Sequence, residues 1–379
     1  MGSVVVLGGY GNFGRRIVAA LASDANAAGH RVLIAGRSRE RAERFAREVG
    51  GNAEPFAVDC HAPSFAEALA RADAKIVIHT AGPFQTQDYA VPHACIEARA
   101  HYVDLADARA FVCGIRALDD AAKRSETLVV SGASSLPALS SAVVDRLARD
   151  FSSIHSIEHV ITSGAIPPGL ATMSGVLSYA GKPFERWHDG RWRRVHGWQD
   201  LKWMRFPDPL GLRCVANCDV PDLDLFPHRY PSVESVVFRA GVAQPSSMLA
   251  IGLGAWAVRS ILLSSLVPFV PRLHRLATAR ARRGSKHSAM RVHVRGLNGR
   301  SQPHTRTWTL IAANDHGPHI PCFPAIALAR KLLRDAVPRR GAMPCMGLLD
   351  LEEILAVGRG LEIAVVEDEV DERSSGPTR

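Results

Sequence analysis

Residues Val4–Gly14 have the sequence VVVLGGYGNFG, an apolar run that passes directly into a glycine-rich turn. The run predicts a buried strand, and an amphipathic stretch follows the turn. Gly9, Gly11 and Gly14 form the pattern GxGxxG between the two elements. Such glycines permit a tight turn, a close approach of backbone to a pyrophosphate and close packing of helix on strand. The stretch therefore predicts a dinucleotide-binding turn; an ordinary glycine turn is the alternative.

Short apolar runs alternate with amphipathic stretches from Ser3 to about Asp150. Phe13, Ile17 and Leu21, for example, have the spacing of one helical face. Strand, helix and strand in alternation predict parallel βαβ units and hence a doubly wound α/β fold with a parallel sheet. The runs that we assign to strands are Ser3–Gly8, Arg31–Ala35, Pro55–Val58, Lys75–Thr80, His101–Leu105 and Thr127–Ser131.

The end of the second predicted strand bears on the choice of dinucleotide. Proteins that bind NAD usually have an acidic residue there for the ribose 2′-hydroxyl, whereas this chain has Gly36, Arg37 and Ser38. Arginine pairs bidentately with a phosphate, and a serine hydroxyl donates beside it. The pattern favours NADP(H) as the cofactor; a solvated loop charge is the alternative interpretation of Arg37.

Two further strand ends point to the same crevice. Asp59 follows the third strand, where an adenine edge would lie, and an ordinary turn aspartate is the alternative. Ala81, Gly82 and Pro83 follow the fourth strand, where a glycine lets the backbone pass close to a cofactor. The predicted cofactor-binding set is Gly9, Tyr10, Gly11, Asn12, Phe13, Gly14, Arg37, Ser38, Asp59, Ala81, Gly82 and Pro83.

The end of the fifth strand lies where a nicotinamide and a substrate would meet. Tyr102, Asp104 and Asp107 are the candidates for catalytic groups there. They are chosen by position, because no Tyr-x-x-x-Lys or His/Asp signature marks a proton donor. Helix capping is the alternative role of either aspartate.

These segments resemble the saccharopine dehydrogenase-like family, in particular its NADP-binding domain. The resemblance implies a pyridine-nucleotide oxidoreductase that uses NADP(H), with an inserted α+β domain for substrate binding and often for dimerisation. The matching stretches are VVVLGGYGNFG (Val4–Gly14), AGRS (Ala35–Ser38), AGPFQ (Ala81–Gln85) and YVDL (Tyr102–Leu105), followed by weaker likeness in Gly169–Trp192 and in GPHIPCFPA (Gly317–Ala325).

The expected organisation has three parts. A Rossmann domain over 1–150 precedes an α+β substrate and dimerisation domain over 151–315, and C-terminal helices over 316–379 pack back on the first domain. The expected activity is hydride transfer between NADPH and an unidentified small molecule, lipid-like or containing an imine or carbonyl group. The alternative is a membrane- or lipid-surface protein that binds NADP(H) without turnover.

The second half of the chain contains a hairpin signal. Met290–Arg295 alternates, turns near Asn298, and returns through Thr305–Ala312. Trp187–Trp203 contains four of the six tryptophans among many arginines. No nucleic-acid-binding module accompanies them, so nucleic acid is not expected as a partner.

Met248–Val270 is almost wholly apolar and is interrupted by Arg259 and Pro268. An arginine at mid-span costs about 2.5–3.5 kcal/mol on insertion scales, which disfavours a transmembrane helix. A helix in a membrane interface is one remaining interpretation of 248–286, and a buried helix or a dimer face is the other. The basic residues that follow the apolar stretch are Arg272, Arg275, Arg280, Arg282, Arg283 and Lys286.

Composition limits the class of protein. The chain has 379 residues, a formal net charge of +9 and 47% hydrophobic residues. The hydrophobic content excludes a disordered chain, the length suits two domains, and the charge allows an anionic partner. Seven scattered cysteines and a strand starting at Ser3 favour a cytoplasmic protein, peripheral at a membrane under the interfacial interpretation. His316, His319 and Cys322 lie in a proline-rich loop, so no metal site is predicted.

The C-terminal region contains one capping signal and one acidic segment. Asp350 and Glu353 have the spacing of a capping box, which predicts a helix N-terminus. The acidic residues from Glu367 to Glu372 follow and are expected to fray.

Overall fold

The apolar run that opens the chain forms strand β1 (Ser3–Leu7), and all of its residues are buried. The computed structural model describes residues 2–24, 27, 29–281 and 285–371. The chain divides into two compact units. The first comprises the residues up to Leu139 together with Pro318–Arg359, and the second comprises Ser140–Gly317 with the residues from Gly360 onward.

The first unit contains a parallel sheet with helices between its strands. Its strands are β1 (Ser3–Leu7), β2 (Arg31–Gly36), β3 (Ala53–Ala57), β4 (Ala74–His79), β5 (His101–Asp104), β6 (Leu128–Ser131) and β15 (Gly341–Pro344). Its helices are α1 (Asn12–Ala22), α2 (Arg39–Val49), α3 (Phe65–Arg71), α4 (Ala90–Glu97), α5 (Arg109–Gly114), α6 (Asp119–Arg124), α12 (Phe323–Leu333) and α13 (Leu351–Ala356).

The strand order in this sheet is β15-β6-β5-β4-β1-β2-β3, and every described pairing is parallel. All six strands predicted in this region are present, so the predicted α/β class with a doubly wound parallel sheet is confirmed. β15 was not predicted. Strands β2 and β3 lie on one side of β1, and the chain then crosses to the other side to form β4, β5 and β6. The strand order therefore reverses between β1 and β4, and open α/β sheets bind ligands at such a switch point.

Local sequence explains the helices beside this switch point. α1 buries Ile17, Val18 and Leu21 at helical spacing. The Ser38 hydroxyl caps α2 by accepting a hydrogen bond from the Arg41 N–H at 3.3 Å. The predicted capping box at the N-terminus of α13 is confirmed.

The second unit contains a mixed sheet flanked by helices. Its strands are β7 (Ser153–Thr162), β8 (Pro183–His188), β9 (Arg191–His196), β10 (Lys202–Arg205), β11 (Leu212–Asn217), β12 (Ser235–Gly241), β13 (Ser288–Leu297), β14 (Pro303–Ala312) and β16 (Ile363–Asp371). Its helices are α7 (Ser140–Leu147), α8 (Leu170–Ser178), α9 (Asp222–Arg229), α10 (Pro245–Arg259) and α11 (Val270–Ala281). The larger sheet has the order β10-β11-β12-β7-β13-β14-β16.

The predicted hairpin is confirmed as β13 and β14, which pair antiparallel from Ser288↔Ala312 to Leu297↔Pro303. The prediction that the acidic tail frays from Glu367 is wrong, because Glu367 lies within β16, which pairs with β14. Arg306 on β14 forms ion pairs with Glu367 and Glu369. Opposite charges on neighbouring strands stabilise their pairing, which explains why this acidic segment is ordered. Glu372 lies outside the described residues.

The unit boundaries differ from the predicted ones at two places. The first unit ends at Leu139 rather than near 150, because α7 contacts β13 and α9 of the second unit. Of the C-terminal part, α12 and α13 belong to the first unit, where α12 contacts α1, whereas β16 belongs to the second. The C-terminal part is therefore not helical throughout.

The apolar segment 248–270 forms most of α10, a connecting loop and the first residue of α11. Within the described residues, no helix is long and apolar enough to cross a membrane. Four of the six basic residues that follow the segment are described, and Arg282 and Arg283 lie outside the described residues.

Candidate functional site

The glycine-rich turn between β1 and α1 has no room for a side chain at any of the three glycines of its GxGxxG pattern. A Cβ on Gly9 would lie 2.8 Å from the carbonyl oxygen of Val6. A Cβ on Gly14 would overlap the carbonyl oxygen of Gly8, and one on Gly11 would lie 2.9 Å from the same oxygen. All three distances are below the closest distance that real Cβ atoms show. The helix therefore starts tightly against the strand, as a backbone cradle for a pyrophosphate requires.

The N-terminus of α1 is left open for an anion. Its first residue follows Gly11, which has no side chain to cap the helix, and its first turn contains no acidic residue. Asn12 is exposed, and its amide oxygen accepts from the Arg16 guanidinium at 2.8 Å. Uncapped N–H groups and an uncompensated helix dipole favour a phosphate at this position.

Thr80, directly after β4, joins the ends of β4 and β1 at the switch point through two hydrogen bonds. Its hydroxyl donates to the Leu7 carbonyl at 2.7 Å, and its N–H donates to the same oxygen at 2.9 Å. A Cβ on Gly8 would lie 2.9 Å from the Thr80 hydroxyl and 3.2 Å from the Ala81 nitrogen. The ends of β1 and β4 are therefore in direct contact, and the predicted residue Ala81 lies beside the glycine-rich turn.

Tyr10 joins the glycine-rich turn to the end of β2. Its hydroxyl accepts a hydrogen bond from the Ser38 N–H at 3.1 Å. Its ring covers Gly36 so closely that a Cβ there would lie 2.5 Å from the hydroxyl and 2.7 Å from ring carbons. A carboxylate side chain cannot occupy position 36 while Tyr10 lies there.

Two arginines lie at this strand end, and neither has an acidic partner in the part of the chain that the structure describes. Arg37 is exposed, and the guanidinium carbon of Arg41 lies 4.5 Å from the centroid of the Tyr10 ring. Among the described residues, no carboxylate forms an ion pair with either arginine, whereas Arg39 and Arg44 on the same helix pair with Glu43 and Glu40. Two unpaired guanidinium groups favour a bound anion here.

The loop after β4 is stabilised by hydrogen bonds between its own residues. The Gln87 side-chain amide donates to the Ala81 carbonyl at 2.7 Å and to the Pro83 carbonyl at 3.2 Å. A Cβ on Gly82 would have its nearest neighbours in this loop at 3.6 Å, an ordinary contact distance. The protein itself therefore does not require glycine at position 82.

Asp59 is exposed, one residue beyond Val58, whose N–H donates to the Gly36 carbonyl at 3.1 Å. Its carboxylate accepts from the His61 N–H at 3.0 Å, which is an Asx turn. This hydrogen bond is the one expected of an ordinary turn aspartate. Contact of Asp59 with an adenine remains a prediction.

Asp104, at the end of β5, is fully buried and connects two loops of the sheet edge. Its Oδ1 accepts from the Gly132 N–H at 2.8 Å, the Ala106 N–H at 2.9 Å and the Ser131 hydroxyl at 3.0 Å. Burial raises the pKa of Asp104 to about 6, although these hydrogen bonds act in the opposite direction. Asp104 is therefore not a helix cap; it fixes the loop that follows β6.

Tyr102 lies in the core under this sheet edge and is also fully buried. Its hydroxyl lies 3.0 Å from Nδ1 of His79, which is buried at the end of β4. Burial lowers the pKa of His79 to about 3 and raises the pKa of Tyr102 well above its usual value. Both side chains are thus held neutral as a buried hydrogen-bonded pair.

Asp107 is the partly exposed member of the three catalytic candidates. Its carboxylate accepts from the Gln85 amide at 3.1 Å, and burial raises its pKa. The strand end thus offers one accessible acid, Asp107, above the two buried candidates.

The structure brings most of the predicted cofactor residues to one edge of the sheet. The turn, Arg37 and Ser38 are connected through Tyr10, and Ala81 adjoins Gly8. Sequence reasoning missed Arg41 and His79, because an arginine on a charged helix and a histidine ending an apolar strand have no distinct signal. Among the described residues, no group of three or more His, Cys, Asp or Glu side chains could hold a metal ion.

Comparisons with known proteins agree with this architecture. Residues 4–130 match the family described as saccharopine dehydrogenase NADP binding domain. The fold is similar to apo saccharopine dehydrogenase (L-Glu forming) from Saccharomyces cerevisiae, with a TM-score of 0.67 and 16% identity over 98% of this chain and 100% of that chain. It is also similar to homospermidine synthase from Legionella pneumophila in complex with NAD, with a TM-score of 0.60 and 11% identity over 100% of this chain and 94% of that chain. No curated protein sequence matches the chain.

Proposed function

We propose that this chain, whose residues 4–130 belong to the saccharopine dehydrogenase NADP-binding domain family, is an oxidoreductase that prefers NADP(H) to NAD(H). Its reaction is hydride transfer between the nicotinamide and an imine, carbonyl or conjugated alkene carbon of a small substrate. The family match supports binding of a pyridine dinucleotide, and the residues at the end of β2 support the preference between the two.

The observation on which the preference rests is the arrangement of Tyr10 over Gly36 beside two unpaired arginines. A site for NAD usually holds the ribose 2′-hydroxyl with a carboxylate at this strand end. Here the ring excludes a side chain at position 36, and Arg37 and Arg41 present positive charge instead. A 2′-phosphate compensates that charge and accepts several charge-assisted hydrogen bonds.

The residues present fit such a cofactor along its length. The backbone of Gly9–Gly14 and the N-terminus of α1 would hold the pyrophosphate, and the loop of Ala81–Pro83 would lie along the nicotinamide half. When bound, the nicotinamide supplies or accepts a hydride at its C4 atom.

Four residues of this chain have three separate roles at that end. Asp104 positions the loop of Ser131–Gly132 and does not touch the substrate. Asp107, partly exposed and with a raised pKa, is the group that would give a proton to the substrate. His79 and Tyr102 form a buried, uncharged, hydrogen-bonded pair that helps to hold this part of the sheet in place.

The alternative function is NADP(H) binding without turnover. It is favoured by the burial of Tyr102 and Asp104, which leaves a single accessible acid among the candidates. The two functions differ in whether a hydride leaves C4 of the nicotinamide, which a deuterium label at that atom would reveal.

The test uses NADPH labelled with deuterium at one or the other C4 position. The protein is mixed with carbonyl compounds, with amine and carbonyl pairs, and with conjugated alkenes, and the label in the cofactor is measured. Loss of deuterium from one face only, with at least one substrate class, is the expected result. Tight binding of NADPH with no loss of label from either face in any mixture would overturn the enzymatic proposal in favour of the alternative.

A further inference from the structure

We infer that the second unit docks on an anionic phospholipid bilayer through a surface that we call the α10–α11 surface. It comprises the exposed stripe of α10, the loop 260–269 and the exposed side of α11. The bilayer is a partner that neither the family match nor the proposed reaction assigns.

Helix α10 is apolar on two sides, and only one of them packs against the protein. Met248, Gly252, Ala255 and Val258 are buried at helical spacing. On the other side, Leu249, Leu253 and Trp256 are 56%, 60% and 54% exposed and follow one another at i, i+4 and i+7. A helix that only packs on its own domain has a polar outer side, so this stripe indicates a second apolar contact.

The buried side of α10 packs closely against the rest of the unit. The Gln199 side chain donates to the Gly252 carbonyl at 2.9 Å. A Cβ on Gly252 would lie 3.2 Å from Leu201, and one on Gly254 would lie 3.1 Å from Leu266. The exposed stripe is therefore held in place and is not a helix awaiting burial against its own unit.

The stripe continues into a strained and exposed apolar tip. Ile261 follows the helix with a φ of 62° and is 91% exposed, and Leu262 is 67% exposed. A β-branched residue is strained in the left-handed region, and glycine is the usual residue at this helix position. The chain thus presents an isoleucine to solvent in an unfavourable conformation, which burial in an acyl layer would offset.

The charges around the apolar stripe favour lipid over protein. Residues 245–286 contain no acidic side chain. Arg259, at the end of α10, is exposed, as are Arg272, Arg275 and Arg280 along α11, where Leu276 is exposed among them. Leucine and tryptophan beside arginines, with no acid, is the composition of a helix pair lying in an anionic membrane interface.

A second copy of this chain is the competing occupant. In a two-fold symmetric dimer the same surface faces itself, so the arginines of α11 would approach one another without acidic partners. Like charges in apposition weaken an interface, whereas phosphatidylglycerol headgroups neutralise them.

The experiment is flotation of the full chain with phosphatidylcholine vesicles that contain or lack phosphatidylglycerol. The wild type is expected to float with the anionic vesicles at least about tenfold more than with the neutral ones and to lose this at high salt. Leu253→Ser with Ile261→Ser is expected to lower binding at least about tenfold. Arg272→Gln with Arg275→Gln and Arg280→Gln is expected to abolish the difference between the two vesicle types.

Matched controls use exposed residues elsewhere in the same unit. Trp203→Ser with Leu212→Ser removes side chains that are 57% and 53% exposed on β10 and β11. Arg194→Gln with Arg295→Gln and Arg300→Gln removes the same charge from β9, β13 and the loop after β13. Both control variants are expected to float as the wild type does.

Oligomeric state and Trp256 emission complete the test. In the wild type, Trp256 emission is expected to shift to the blue with anionic vesicles, and Trp256→Phe assigns the shift. Failure of the folded wild type to float with anionic vesicles would overturn the inference. An equal loss of flotation in the control variants and in the α10–α11 variants would also overturn it. The same holds if the Leu253→Ser, Ile261→Ser variant changes from dimer to monomer while its flotation is unaltered.

Discussion

The guanidinium carbon of Arg41 lies 4.5 Å from the centroid of the Tyr10 ring, so a residue of α2 stacks on a residue of the turn between β1 and α1. Tyr10 also accepts a hydrogen bond from the Ser38 N–H at 3.1 Å. The two loops that would enclose the adenosine half of a dinucleotide are thus fixed to each other before any ligand binds. Preorganisation of this kind reduces the entropy that binding costs.

Removing the two unpaired arginines tests their assignment to a 2′-phosphate. Arg37→Ala and Arg41→Ala are each expected to raise the Kd for NADPH about tenfold to a hundredfold, as loss of a charge-assisted hydrogen bond does. The Kd for NADH is expected to change less than about threefold, because that cofactor lacks the phosphate. Titration calorimetry with both cofactors gives the comparison.

Arg44→Ala is the control for these two variants, because Arg44 lies on α2 with Arg41 and, unlike Arg37 and Arg41, pairs with an acidic residue, Glu40. It removes the same formal charge and is expected to leave both dissociation constants unchanged. An equal effect of all three substitutions would mean that net charge, and not a 2′-phosphate contact, governs affinity.

Gly14→Ala tests the close contact of α1 with the end of β1. The new Cβ would overlap the Gly8 carbonyl, so the helix must move, which costs about 1–3 kcal/mol of unfolding free energy. Denaturant unfolding measures that loss, and NADPH binding is expected to weaken with it. Gly29→Ala, where a Cβ meets nothing within 4 Å, is the control and is expected to be close to neutral. Wild-type stability and affinity in Gly14→Ala would contradict the geometry of the turn.

Gly82→Ala separates cofactor contact from protein packing. A Cβ at position 82 lies 3.6 Å from its nearest neighbour, so the unfolding free energy is expected to change by less than about 0.5 kcal/mol. NADPH binding is expected to weaken about tenfold if the cofactor passes close to this backbone. Unchanged affinity would remove Gly82 from the cofactor site.

Asp104→Asn is expected to alter how stability depends on pH. The pKa of Asp104 is raised to about 6, so its contribution to stability is present below the pKa of an unfolded aspartate and is lost as pH rises through 6. The asparagine does not ionise. The unfolding free energy of Asp104→Asn relative to wild type is therefore expected to rise between pH 4 and pH 6, by up to about 3 kcal/mol.

The comparison needs both proteins, because His79 acts in the opposite direction. Its pKa is lowered to about 3, so its contribution is present above the pKa of an unfolded histidine and is lost as pH falls. The two effects overlap in the wild-type curve. The His79 contribution is common to both proteins and cancels in the difference, which leaves the contribution of Asp104. Urea unfolding of both proteins across this range provides the measurement; a difference that does not vary with pH would contradict the burial of the Asp104 carboxylate.

Most strands of the first sheet were predictable because they are buried on both faces and appear as apolar runs, as β1 does; the edge strand β3 is not buried. β15 was not, because Gly341–Pro344 is four residues long and offers neither an apolar run nor alternation. The tail was mispredicted for a related reason. Its acidic residues suggest a solvated end until Arg306 is placed on the neighbouring strand.

The glycine-rich turn was predictable because the spacing of its glycines reflects backbone contacts that lie close together in the chain. The role of Tyr10 was not, because its contact with Gly36 joins distant segments. Asp104 ends β5, with Tyr102 two residues before it, yet period-two alternation cannot show that both side chains are fully buried. Burial of that kind depends on the whole sheet.

The most direct measurement is the dissociation constant of the wild-type protein for NADPH and for NADH under the same conditions. The arrangement of Tyr10, Gly36, Arg37 and Arg41 predicts that NADPH binds at least about tenfold more tightly, since charge-assisted contacts to one phosphate supply that much. Equal affinities, or a preference for NADH, would contradict the assignment of this strand end to a 2′-phosphate.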